Sequence, residues 1–250
     1  MKSLFLSITL LLTTAASATA ETTHVATASN FSQPLQLLVQ SFEEKSRHKV
    51  RISAASTGKL YAQIKHGAPY HIFLAADQLR PEKLEQEGFA VNGSRFTYAV
   101  GRLALWAPQQ QFTGEAKLLI SKANIRRFSI ANPKTAPYGV AARQTLKAMG
   151  VWEQLQGRLV QGENIAQTYQ FIASGAAGMG FVARSQLTEE ARSTGYHWVV
   201  PQDLHDPIRQ DAALLKRGAD NPAAKAFYAF LRSDSAKALI SSLGYGLGDN

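Results

Sequence analysis

The sequence predicts an α/β architecture built on parallel sheets, and three observations carry that prediction. Short apolar runs that read as strands alternate with stretches whose apolar residues recur at helical spacing, the pattern of strands crossed over by helices. The first strand–helix–strand unit is legible from Val50 to Asp77. The turn that joins its strand to its helix, Ser56-Thr57-Gly58, is small and polar, and turns of the same placement recur along the chain.

Taken in order, Val25-Ala26-Thr27-Ala28 reads as a strand ended by Ser29-Asn30. A helix follows with Phe31, Leu35, Leu38 and Phe42 on one stripe. Val50-Arg51-Ile52 is a second strand, and Leu60 and Ile64 mark the helix after Ser56 to Gly58. Gly67-Ala68-Pro69 stops that helix before the strand Ile72-Phe73-Leu74. Asp77 to Gly88 reads as a helix with Pro81 in its first turn and Gly88 closing it. Phe96 to Trp106 is strand-like but broken by Gly101-Arg102, which suits a passage from one lobe to another. The polar loop Pro108 to Glu115 supports a break there.

Phe128 to Ala131 is again a strand, followed by Asn132 to Gly139 and a helix that Gly150 ends. Leu159-Val160 leads through Gly162 to Gln167 into another helix, which ends near Ser174-Gly175. Gly178 to Ala183 and Trp198 to Val200 are further strands, and Ile208 to Leu215 has the place to return the chain to the first lobe. Asn221 to Leu231 and Ser235 to Leu243 read as terminal helices.

These strand-to-helix turns are the candidate binding elements. The first amides of a helix lack intrahelical partners, and the helix dipole favours negative charge beside them. Ser and Thr hydroxyls add neutral donors. In an open parallel sheet such turns gather at the carboxyl ends of the strands, where ligands bind. One such turn alone is an ordinary cap; the repetition points to an anion site.

Composition narrows the function. With 250 residues, the chain makes one large domain or two modest ones. Lys2, the apolar run Leu4 to Leu12 and Ala18-Thr19-Ala20 form a secretory signal over residues 1–20, so the mature chain is expected to begin at Glu21. That run is shorter than the ~20 residues of a membrane span. The absence of cysteine excludes disulfides, thiolate metal sites, Cys nucleophiles and a lipid-modified cysteine. A soluble periplasmic protein is the simplest reading. The net charge of +9 is spread along the chain, which fits a solvated surface that draws in anions and not a nucleic-acid interface.

Enzymatic motifs are weak. Ser56-Thr57-Gly58-Lys59 satisfies the S-x-x-K pattern of serine acyltransferases, but so does Ser46-Arg47-His48-Lys49, and the S-D-N element is missing. The six histidines are scattered without metal-site spacing, no two tyrosines are adjacent, and no cofactor motif occurs.

Six segments carry a resemblance in order along nearly the whole mature chain. They are Ala-Thr-Ala-Ser-Asn-Phe (26–31), Ser-Thr-Gly (56–58), Gly-Ala-Pro-Tyr-His-Ile-Phe-Leu-Ala-Ala-Asp (67–77), Ala-Asn-Pro-Lys-Thr-Ala-Pro-Tyr-Gly (131–139), Gly-Glu-Asn-Ile-Ala-Gln (162–167) and Gly-Phe-Val-Ala (180–183). The set resembles the periplasmic molybdate-binding proteins of ABC transporters. The resemblance implies two lobes, each a mainly parallel sheet flanked by helices, joined by two crossing strands with the ligand cleft between them. Residues 21–98 with 210–250 would form lobe I and residues 99–209 lobe II.

It further implies a binding protein and not an enzyme. A monomer would hold molybdate, and also tungstate, and deliver it to a permease and ATPase at the inner membrane. Carried over by position, Ser29 and Asn30 match the first anion loop, and Ser56 and Thr57 the second, with Thr57 the stronger candidate for hydroxyl and backbone donation. Tyr138 and Ile165 would each offer a backbone N–H. Phe181 stands where some members carry a ligand-binding tyrosine, so the chain resembles the subgroup that uses the Asn30-type contact and the Ala-Pro-Tyr-Gly loop. A sulfate, thiosulfate or other small-anion receptor on the same scaffold is the alternative.

Overall fold

The computed structural model describes residues 20–122 and 126–248. Except for Ala20, the signal segment expected at 1–20 lies outside the described residues.

The chain runs β1 (Thr22–Ala28), a 3-10 turn (Ser29–Phe31), α1 (Ser32–Glu43), β2 (Lys49–Ala55), α2 (Thr57–Lys65), β3 (Ile72–Leu74), α3 (Leu79–Gln86) and β4 (Phe96–Gly101). It continues through β5 (Leu103–Ala107), α4 (Ala116–Lys122), β6 (Phe128–Ala131), α5 (Pro137–Ala148), α6 (Trp152–Leu155), β7 (Leu159–Gly162), α7 (Ile165–Ala173) and β8 (Met179–Ala183). The last elements are α8 (Glu189–Ser193), β9 (Tyr196–Val199), β10 (Ile208–Leu214), α9 (Pro222–Phe230) and α10 (Asp234–Ser242).

Two five-stranded sheets result, ordered β2-β1-β3-β10-β4 and β7-β6-β8-β5-β9. Each has three parallel strands on one side, β2-β1-β3 in one sheet and β7-β6-β8 in the other. Antiparallel strands complete each sheet, and among them are those that carry the chain between lobes. β4 stays with the first sheet to Gly101, and β10 rejoins it from Ile208, so the crossings fall at Arg102 and just before Ile208. These positions lie a few residues from the breaks expected at 98/99 and 209/210.

The apolar stripe of α1 explains its docking: Leu35, Leu38 and Phe42 are buried, with Phe31 just ahead of them. They share a cluster with Ile72, Leu74, Phe227 and Ile240, so α1, α9 and α10 cover the first sheet. Leu60 and Ile64 bury α2 against Phe73 on a neighbouring patch. Gly67 takes φ 85° after α2 and Gly150 φ 69° after α5, a left-handed turn that glycine adopts without steric cost.

The second sheet packs around Leu105, Phe128, Ile130 and Phe181. Phe181 is fully buried and meets Phe128 edge-on at 5.6 Å, so it is a core residue. Ala28 and Ala76 of the first lobe belong to this same cluster, which continues the core across the cleft floor. α3 is shorter than the expected Asp77–Gly88: its N-cap is Gln78, and Asp77 stands ahead of it, accepting from the Arg80 amide at 3.0 Å. α4, α6 and α8, all seven residues or fewer, carry too little periodicity to be read from sequence.

Candidate functional site

The parallel register sets the first two anion loops side by side. Ala28 and Ala55 are partners at the carboxyl ends of β1 and β2, so Ser29 and Ser56, the next residues, leave the sheet together. Ser29 begins the 3-10 turn and Ser56 is the N-cap of α2. In the second lobe Asn132 donates to Gly162 O at 2.8 Å, which ties together the ends of β6 and β7, and α5 and α7 start just beyond.

The two pairs then meet. The Gly58 amide donates to Thr135 O at 2.9 Å across the cleft, and the 3-10 turn at Ser29–Phe31 packs on α7. Ala28, Ala76, Tyr138 and Ile165 share one apolar cluster. The six residues Ser29, Asn30, Ser56, Thr57, Tyr138 and Ile165 therefore converge on the cleft, and all but half-buried Ser29 are buried.

The supply of free donors is distinctive. Thr57 and Ile165 open their helices and Tyr138 follows Pro137 at the start of α5, so their amides have no intrahelical acceptor. Away from the cleft, Thr188, Asn221 and Ser233 cap α8, α9 and α10 with their side chains. At the cleft, Ser56 and Ala136 make no side-chain cap. Asn164 does cap α7, but through the amides of Ala166 and Gln167, which leaves Ile165 open. Among the described residues, no protein atom hydrogen-bonds to the hydroxyls of Ser29 and Ser56.

Thr57 and Asn30 are more committed. Thr57 Oγ1 accepts from the buried Ala76 amide at 3.0 Å, leaving only its own hydrogen to donate. Asn30 Nδ2 donates to Gln210 Oε1 at 2.8 Å and to Tyr245 Oη at 3.2 Å, which uses both its hydrogens. The side chain of Asn30 is thus structural, and its backbone N–H is what it can offer. Tyr245 Oη in turn donates to Asn30 O at 2.9 Å and accepts from Ser185 Oγ at 2.9 Å.

Two cations at the cleft mouth, Lys59 and Arg80, are paired with carboxylates. Lys59 meets Glu163 at 3.1 Å across the lobes, and Arg80 pairs with Asp77 while reaching Lys134 O at 3.3 Å. Buried phenols keep the interior neutral. Burial lifts Tyr98 and Tyr138 well above the usual phenol range, with Tyr245 adding to both shifts. Burial pushes Tyr245 up to about 12, against hydrogen bonds to Ser185 and Asn30. Sequence reasoning missed Gln210, Tyr245, Tyr98 and Ser185 around Asn30. The available signal was the polar run Arg209-Gln210-Asp211 inside a strand whose other residues are apolar. Such an arrangement can offer a small anion directed hydrogen bonds from neutral groups of both lobes.

Comparison with known proteins agrees with this geometry. Residues 23–246 match the family described as bacterial extracellular solute-binding protein. The molybdate-binding protein ModA of Azotobacter vinelandii is 47% identical over 93% of this chain and 93% of its own length. ModA of Rhodobacter capsulatus is 44% identical over 88% of this chain and 86% of its own. The solved periplasmic molybdate-binding protein of Azotobacter vinelandii superposes with a TM-score of 0.86 at 39% identity, covering 91% of this chain and all of that one.

Proposed function

The chain belongs to the bacterial extracellular solute-binding protein family, and from that premise we propose that it is a receptor for molybdate serving an ABC importer. One observation carries the reading: unpaired first-turn amides from both lobes, with the hydroxyls of Ser29 and Ser56, converge on a cleft beside which Lys59 and Arg80 are each already held by a carboxylate.

Burying a dianion is costly unless its oxygens are well hydrogen-bonded. The amides of Asn30, Thr57, Tyr138 and Ile165 and the hydroxyls of Ser29, Ser56 and Thr57 supply that shell. Donors alone suit a fully deprotonated oxyanion. Phosphate, which keeps a proton near neutral pH, would want an acceptor there. Tungstate, nearly the same size as molybdate, binds the same shell, and sulfate is discriminated by its smaller size. The two lobes, with bounds near the expected 21–98 plus 210–250 and 99–209 and crossings at Arg102 and just before Ile208, close on the anion by rotation about those crossings. The loaded receptor acts in the periplasm as a monomer and docks on a permease coupled to a cytoplasmic ATPase. No helix among the described residues is long and apolar enough to cross a membrane.

The serine acyltransferase reading is not favoured. Lys59 Nζ is held by Glu163, at the exposed mouth, and so is not placed as a base for Ser56.

Thermal unfolding with molybdate, tungstate, sulfate, phosphate and thiosulfate in turn tests the proposal. A ligand present at 100 times its Kd adds about 2.7 kcal/mol to the folded state. Stabilisation by molybdate and tungstate without sulfate is expected. A response to sulfate or thiosulfate alone would keep the fold and replace the ligand.

A further inference from the structure

Two buried polar atoms, Tyr138 Oη and Gln210 Nε2, have no hydrogen-bond partner among the described residues. Tyr138 belongs to α5 in the second lobe; Gln210 lies on β10, the crossing strand that returns to the first. Both side chains are essentially inaccessible. They press on the same residue, Gly101, at the end of the other crossing strand. A Cβ there would stand 2.7 Å from Gln210 Nε2 and 2.9 Å from Tyr138 Cζ, and would collide with Tyr138 Oη. The Gln210 amide already acts on the Tyr138 phenol as a hydrogen-bonding neighbour, opposing the upward shift that burial imposes, but the pair falls short of the geometry of a full hydrogen bond.

The pair is chemically complementary, since an amide NH₂ donates and a phenol oxygen accepts. Polar groups left unpaired in an interior are rare and unfavourable, which gives a driving force toward any motion that joins them. The other end of Gln210 is fixed: Oε1 accepts from Asn30 Nδ2 at 2.8 Å and from Tyr98 Oη at 3.2 Å.

We propose that Gln210 Nε2 and Tyr138 Oη form a closure latch, a hydrogen bond completed when the oxyanion draws the α5 N-terminus inward. The latch rests on the receptor reading above. It joins Asn30 to Tyr138 through one residue on the crossing strand, and so locks together donors from the two lobes. In this role the Tyr138 hydroxyl and Gln210 are positioning groups that never touch the anion.

The test compares wild type, Tyr138→Phe, Gln210→Leu and the double variant, using molybdate as ligand. Calorimetric titration gives Kd, stopped-flow tryptophan fluorescence gives the rates, and thermal unfolding gives ligand-free stability. Tyr138→Phe retains the ring and the backbone amide and removes only Oη. It is expected to speed molybdate release about tenfold, the effect of one ordinary hydrogen bond, with association unchanged. Ligand-free melting should stay equal or rise, because an unpaired buried hydroxyl is gone. In the Gln210→Leu background the same substitution should cost nothing further. Unchanged release in Tyr138→Phe, or full additivity in the double variant, would overturn the latch while leaving the receptor standing. Failure of the wild type to bind molybdate would instead overturn the receptor reading, and the latch with it.

Discussion

The amide of Gly58 donates to the carbonyl of Thr135 at 2.9 Å, so the two lobes hydrogen-bond beside the proposed anion shell. The approach is close: a Cβ at position 58 would lie 3.1 Å from both Cα and O of Thr135 and 3.2 Å from Arg80 Nη2, so these neighbours would have to give slightly. Gly58→Ala should therefore act in opposite directions on two properties. Affinity for molybdate should fall about three- to tenfold as this contact is strained. Ligand-free stability should rise by up to about 1 kcal/mol because alanine suits the helix better. Calorimetric titration and thermal unfolding separate the two, and unchanged affinity would refute the role given to this contact.

Ser29 and Ser56 carry the hydroxyls without protein partners, so their removal should touch binding alone. A hydrogen bond to a charged group contributes about 1.5–3 kcal/mol. Each Ser→Ala change should raise Kd roughly tenfold to a hundredfold, and the double change more, with native circular dichroism and melting retained. Thr57→Ala is a useful contrast. It also deprives the buried Ala76 amide of its acceptor, so melting should drop by an amount corresponding to about 1–3 kcal/mol. Native affinity in the double serine variant would contradict the shell.

Arg95 stabilises the first lobe by holding Asp211. The Asp211 side chain is 2% exposed and meets Arg95 Nη1 at 2.9 Å, Thr97 Oγ1 at 2.6 Å and Gln78 Nε2 at 3.3 Å. Removing one partner of a buried pair costs about 3–5 kcal/mol, and the partial exposure of Arg95 lowers that to about 2 kcal/mol. Arg95→Ala should show this loss in urea unfolding with an unchanged slope. A loss under about 0.5 kcal/mol, typical of surface sites, would show the pair to be incidental.

Ligand-free stability should decline on mild acidification. Burial lowers the pKa of both His24 and His71; Arg51 reinforces the first shift, and His24 and Arg217 the second, against Glu21. Below about pH 6.5 the unfolded chain then binds more protons than the folded one, so stability is lost as pH falls through that value toward the depressed folded values. Melting temperatures from pH 7.5 to 5.5 should slope downward, and His24→Gln with His71→Gln should flatten the slope. An equal slope in the double variant would assign the effect elsewhere.

Much of the fold was legible because its local signals agree with its global arrangement. The stripe Phe31, Leu35, Leu38 and Phe42 and the breaks at Gly67 and Gly150 are the features that the structure uses. Strand-to-helix turns could be located because small polar residues stand where the sheets end. Which side-chain atoms stay free could not be read, since that depends on partners far away in sequence. The Asn30 side chain is an example: Gln210 and Tyr245, 180 and 215 residues onward, take both its hydrogens. Nor could the sequence show that the Thr57 hydroxyl also accepts from the Ala76 amide, which fixes its oxygen while its hydrogen stays free to donate, whereas Ser56 Oγ is without a protein partner. The lobe crossings likewise follow from strand pairing at Gly101 and Ile208, a long-range property.

The most direct measurement is a crystal structure of the mature protein with molybdate. The account predicts the anion between the lobes, its oxygens accepting from the amides of Asn30, Thr57, Tyr138 and Ile165 and from the hydroxyls of Ser29 and Ser56, with no lysine or arginine in contact. Molybdate held instead by Lys59, Arg80 or Lys134 at the cleft mouth, or bound outside the cleft, would contradict it.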